Sequence, residues 1–142
     1  MPSRRQLFLF AQLAVVVACI IPAALWFFRV REYSQEQRAG RALVVQLQHR
    51  CPADVDAEMW DWATNWAITA YCNVCFSRNL VSLDELRQFN EDMAERLREP
   101  VDLTTVDWVW ERLGRTGPHG LSYRQRFEPE YLEGTAEMRR RK

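Results

Sequence analysis

Four residues have the types and spacing for soft-metal or thiol chemistry: His49, Cys51, Cys72 and Cys75. Cys72-Asn73-Val74-Cys75 is a Cys-x-x-Cys pattern. On a helix, positions i and i+3 share a face, so both sulfurs can reach one point. His49 and Cys51, in His49-Arg50-Cys51, bring the donors to four, the number a closed tetrahedral zinc site takes. The spacing is not that of a zinc ribbon or finger, where the pairs sit on tight turns; here one pair falls mid-helix. The same thiols allow a disulfide or redox reading. They lack the thioredoxin setting, in which the pair opens a helix whose dipole lowers a thiol pKa. The competing reading is structural, because free cysteine is commonly a small buried apolar residue. Covalent haem attachment does not fit, since Phe76 stands where the histidine of that motif belongs.

Hydrolytic chemistry has little to work with. The chain has two histidines, His49 and His119, and His119 lies in a Gly-Pro-rich stretch with no serine in an elbow context. The carboxylate pairs Asp54/Asp56 and Asp84/Glu85 fall where helices begin, and compensation of the helix dipole accounts for them. No phosphate loop or dinucleotide fingerprint occurs. No catalytic residue is assigned.

The elements that must position these side chains begin with an apolar run. Residues 7–28, LFLFAQLAVVVACIIPAALWFF, carry no charge, and Gln12 is their only strongly polar member. Twenty-two residues at about 1.5 Å each make about 33 Å of helix, enough for a hydrocarbon core of about 30 Å. Arg4 and Arg5 flank it on one side and Arg29 and Arg31 on the other, with Trp26 near the second boundary, where amphipathic rings prefer the interface. Pro22 is tolerated in a bilayer helix. A retained membrane anchor is the reading favoured here over a cleaved signal, because the run is too long and lacks a closing Ala-x-Ala. Two local sequences resemble export signals. Val16-Val17-Ala18-Cys19 resembles a lipoprotein box, but nine apolar residues follow it. Ser3-Arg4-Arg5-Gln6-Leu7-Phe8 resembles a twin-arginine signal. Arg29, Arg31, Arg38 and Arg41 outnumber Arg4 and Arg5, which favours the cytoplasmic side of the cell (inner) membrane for the C-terminal part.

Residues 29–50 read as a stalk helix leaving the membrane, with Gly40 its weak point and Leu43, Val44 and Leu47 an apolar stripe for docking. Asp54 or Asp56 caps a second helix over about 57–78, apolar on most sides and uncharged from 62 to 76, as the central helix of a bundle is. Ser82-Leu83-Asp84-Glu85 is a capping box opening an amphipathic helix to about residue 98. Thr104 or Thr105 caps another to Leu113, where Gly114 supplies a left-handed C-terminal turn. Gly117-Pro118-His119-Gly120 reads as loop. Pro129 is expected to break any single helix through Tyr123, Phe127 and Tyr131.

The expected fold class is therefore all-α: residues 1–6 a tail, 7–28 a transmembrane anchor, 29–50 the stalk, 51–132 a Trp-rich bundle of about three helices, and 133–142 a disordered basic tail. The 19 basic and 19 acidic groups balance only in the sum. Residues 1–28 hold two basic and no acidic groups, residues 29–138 thirteen against nineteen, and the last four are all basic. No basic excess marks a nucleic-acid partner. The expected partners are the lipid bilayer and another membrane or membrane-associated protein. Trp108, off the inward stripe of its helix, and Trp62 are the interaction candidates, as Trp is enriched at interface hot spots. The alternative placement for Trp108 is under the 114–132 segment. The expected function is a non-catalytic accessory or scaffold subunit with no cofactor. The alternative is a membrane-tethered zinc or thiol-redox protein using His49, Cys51, Cys72 and Cys75.

Overall fold

A computed structural model describes residues 4–76 and 81–140, with the backbone alone for Arg4, Leu7, Ala11, Pro118 and 137–139. The described chain is all-helical and without strands: α1 (Arg4–Gln48), α2 (Ala57–Cys75), α3 (Leu83–Arg96), α4 (Leu103–Leu113) and α5 (Gly117–Arg140). It divides into two compact units, Met1–Gln35 and Glu36–Lys142.

The first unit is the apolar part of α1, which contains Pro22. Its most apolar window is long enough to cross a membrane, and none of it is buried by protein. Trp26 is 69% exposed, and Phe8, Leu13, Ile20 and Phe28 are comparably bare. Arg5, Arg29 and Arg31 are exposed; the side chain of Arg4 lies outside the described residues.

In the second unit the end of α1, α2, α3, α4 and α5 together enclose one core. The expectation of about three helices undercounts it, because the last turns of α1, and α5 through Tyr131 and Thr135, are part of the packing. Val44 and Leu47 are fully buried, so the stripe on α1 docks as its spacing implies. Trp60, Trp110, Tyr71, Tyr131 and Phe89 are the largest of the buried side chains.

Local chemistry sets the helix boundaries. Asp56 caps α2, accepting from the amides of Glu58 and Met59 at 3.1 Å. The helix ends at Cys75 with Phe76 as its C-cap, short of the expected residue 78; residues 77–80 lie outside those described. Ser82 and Glu85 form the reciprocal capping box of α3: the Glu85 amide donates to Ser82 Oγ at 3.2 Å, and the Ser82 amide donates to the Glu85 carboxylate at 2.8 Å.

Five local expectations are corrected. Asp102, not Thr104 or Thr105, caps α4; it accepts from both of their amides, at 2.9 and 3.3 Å, and Thr105 serves as the return partner at the third helical position. Gly114 is right-handed, with φ −63°. The left-handed glycine is Gly117, φ 63°, because the chain makes one more right-handed turn through Arg115 and Thr116 before it reverses. Gly117-Pro118-His119-Gly120 is the first turn of α5 rather than a loop. A proline in the first turn gives up an amide that has no helical partner there, and its fixed φ suits the helix. Pro129 lies inside α5 and does not end it. It removes one backbone bond, while the aromatic side chains on either side stay packed in the bundle. The helix then continues through 133–140, where the composition suggests a tail. Residues 141–142 lie outside the described residues.

Candidate functional site

The cysteine–histidine set is not assembled. His49 and Cys51 are exposed, Cys72 is half-buried and Cys75 is buried. All four cysteines are free thiols. Among the described residues no group of three or more His, Cys, Asp or Glu is placed to hold a metal ion. Burial, aided by neighbouring Cys72 and Glu85, pushes the Cys75 thiol up to about 12, the opposite of what a free thiolate nucleophile needs. Cys51 is raised as well, by desolvation first and then by Asp56 and Asp54.

Within His49-Arg50-Cys51 the residue that does structural chemistry is the middle one. Arg50 donates from Nη1 to the carbonyl of Leu97 and from Nη2 to that of Glu99, the latter at 3.1 Å. These carbonyls lie just past α3, so a guanidinium supplies the donors that the end of a helix lacks. Trp60 Nε1 does the same for α1, donating to the carbonyl of Gln48 at 3.0 Å. Neither role has a sequence signal, because each depends on a partner many residues away.

A second polar cluster joins α1 to α2 and α3. Asn90 Nδ2 donates to the carbonyl of Glu36 at 3.0 Å and to its carboxylate at 2.7 Å, and Arg87 Nε stands 3.8 Å from the same carboxylate. Gln37 Nε2 donates to the carbonyl of Cys75. Tyr71 donates its hydroxyl hydrogen to the carbonyl of Gln37 at 3.0 Å. A Cβ at Gly40 would collide with both the Tyr71 hydroxyl and Asn90 Oδ1. The glycine expected to be the weak point of a stalk instead lets α1 approach Tyr71 and Asn90 closely.

The aromatic residues divide into two groups. Trp62 stacks on Tyr131 with planes 2° apart and centroids 6.3 Å apart, and lies edge-on to Trp66 at 6.1 Å. Its six-membered ring fills the place a side chain at Gly134 would take. Trp66 reaches Trp110 and Phe127, and Tyr123 packs on Phe127 at 4.6 Å. This array closes the seam between α2, α4 and α5. Trp62 and Trp66 remain half-buried and line a shallow recess with Asn65 and Thr69.

Trp108 belongs to the second group. It stacks on Phe89 of α3 at 5.9 Å, and the Arg96 guanidinium lies over its ring, 4.6 Å from the centroid. It therefore packs on α3 rather than underneath the 114–132 segment. Half-buried, it also borders a cleft of about 340 Å³ whose walls include Arg96, Asp107, Glu111, Glu128 and Leu132. The carboxylates there are engaged internally: Asp107 accepts from the Tyr131 hydroxyl at 3.0 Å, Glu128 from Arg124 at 2.9 Å, and Glu111 from Arg115. The Trp108 face thus bears a guanidinium and lies beside an apolar Leu132 that is 46% exposed.

No protein-family model, curated protein or solved structure matches the chain.

Proposed function

We propose that this chain is a single-pass protein of the cell (inner) membrane, anchored through residues 7–28, that acts as a non-catalytic accessory or scaffold subunit. Its helical unit binds another membrane or membrane-associated protein. One observation carries the reading: the longest apolar run of the chain is a helix that no other element buries. Burying a side chain of the size of Leu or Phe stabilises by about 1.5–3 kcal/mol relative to leaving it in water. A run of bare Phe, Leu, Ile and Val side chains this long therefore calls for lipid around it. The excess of Arg after the span over Arg before it favours a cytoplasmic C-terminal unit.

The Trp108–Arg96 face and the recess at Trp62 are the proposed partner surfaces. Nucleic acid is not among the proposed partners. The buried Cys75 thiol, raised to about 12, does not favour the thiol-redox alternative, and no group of three or more ligating side chains among the described residues favours the zinc one. Purification of the full chain in mild detergent is expected to recover a stoichiometric protein partner, and Trp108→Ala is expected to lose it. Recovery of the chain alone from its native membrane counts against the scaffold reading.

A further inference from the structure

The membrane reading leaves one side chain without a purpose. Gln12 interrupts an otherwise apolar run, and it is exposed on α1. In hydrocarbon there is no water to satisfy an amide, and an unmade hydrogen bond there costs several kcal/mol. The residues that share its face are arranged for a neighbour. Val16, Cys19 and Ala23 follow at spacings of four, three and four, the repeat of a helix–helix seam. At about 100° per residue, Gln12, Cys19 and Ala23 fall within an arc of about 40°. Cys19 and Ala23 are small, which lets two backbones approach closely in a bilayer. All of these side chains are exposed on the helix.

We propose that a second copy of this chain packs on this face within the membrane, with the two Gln12 amides hydrogen-bonded to each other. The inference rests on the reading of residues 7–28 as a membrane span. An amide carries both a donor and an acceptor, so it is its own complement. About a two-fold axis each Nε2 donates to the other copy's Oε1, as a self-complementary contact requires. A charged partner is not called for, and lipid tails have nothing to offer the amide. The same axis brings the two Cys19 residues opposite each other, two turns along the seam.

The test uses the full-length chain in phosphatidylcholine vesicles at high lipid excess, oxidised with copper–phenanthroline and run without reductant. The expected result is a disulfide-linked dimer that persists in Cys51→Ser and disappears in Cys19→Ser. Its yield at sub-saturating protein is expected to fall about eightfold in Gln12→Leu, the effect of losing two reciprocal interhelical hydrogen bonds in lipid, and to recover in Gln12→Asn. Vesicle-integrated protein that gives no Cys19 cross-link, or one indifferent to Gln12→Leu, overturns the proposal. Alkaline extraction of the same samples separates this from failure of the membrane reading, in which the chain leaves the vesicles altogether.

Discussion

The Tyr71 hydroxyl donates to the backbone carbonyl of Gln37 directly beside Gly40, whose missing Cβ makes room for that same hydroxyl. Both Tyr71 and Gly40 are buried, so neither can move aside cheaply. Gly40→Ala gains about 1 kcal/mol of helix propensity and loses about 1–3 kcal/mol to overpacking. The expected outcome is a net loss of stability in denaturant unfolding. Adding Tyr71→Phe removes part of the collision, so the double mutant is expected to be less destabilised than the two single effects summed.

Glu85 ties two helix starts together. Its carboxylate accepts from the Ser82 backbone amide and hydroxyl, each at 2.8 Å, and from the Gly117 amide at 3.1 Å. The backbone bond at Ser82 is the main cause holding its pKa below the usual carboxylate value. A depressed carboxyl pKa means that the unfolded chain binds more protons than the folded one. The contribution is therefore complete at pH 7 and is lost as the pH falls from the ordinary carboxylate range through the depressed folded value. Glu85→Ala is expected to cost about 1–2 kcal/mol at pH 7. The deficit against wild type should shrink in unfolding measured at progressively lower pH.

The capping box at Ser82 and Glu85 was legible in the sequence because its whole mechanism lies within four residues. So was the apolar stripe of Val44 and Leu47, since periodicity reports burial without naming the partner. Gly117 and Pro118 open α5 rather than a loop for an equally local reason: Gly-Pro is turn chemistry in most settings, but it is also how a helix begins. Pro129 does not end α5, because the lost backbone bond is offset by aromatic packing that only the fold reveals. The roles of Arg50, Trp60 and Asn90 were not legible, since each caps or clamps backbone from another helix. Among the site candidates, Cys72 and Cys75 share one helix as their spacing implies, but among the described residues no group of three or more ligating side chains forms around them, because whether His49 and Cys51 join them depends on packing between elements that spacing does not encode.

The thiols should separate by burial. Cys75, pushed up to about 12 by burial, holds almost no thiolate near pH 8 and is screened from reagent. In the folded protein it is expected to be silent to a thiol-specific chromogenic reagent while exposed Cys51 reacts. After denaturation Cys75 should titrate as an ordinary cysteine. Fast labelling of Cys75 in the native state contradicts the core placement.

Trp108 and Arg96 should differ in their effects on stability. Arg96 is exposed, and a cation–π contact at such a site contributes about 0.5–1 kcal/mol. Trp108 carries the stacking on Phe89 as well. Trp108→Ala is expected to cost about 2 kcal/mol or more, given the losses measured for large-to-small aromatic changes. Arg96→Ala should stay below about 1 kcal/mol. Equal costs in chemical denaturation would mean that the stack on α3 contributes little.

The account depends most on residues 7–28 being held in lipid. Membranes containing the full-length chain can be washed at alkaline pH and sedimented. The expected result is that the chain stays with the membrane pellet and is released by detergent alone. Its appearance at full length, or trimmed of its first residues, in the alkaline supernatant would contradict the anchor and with it the proposed function.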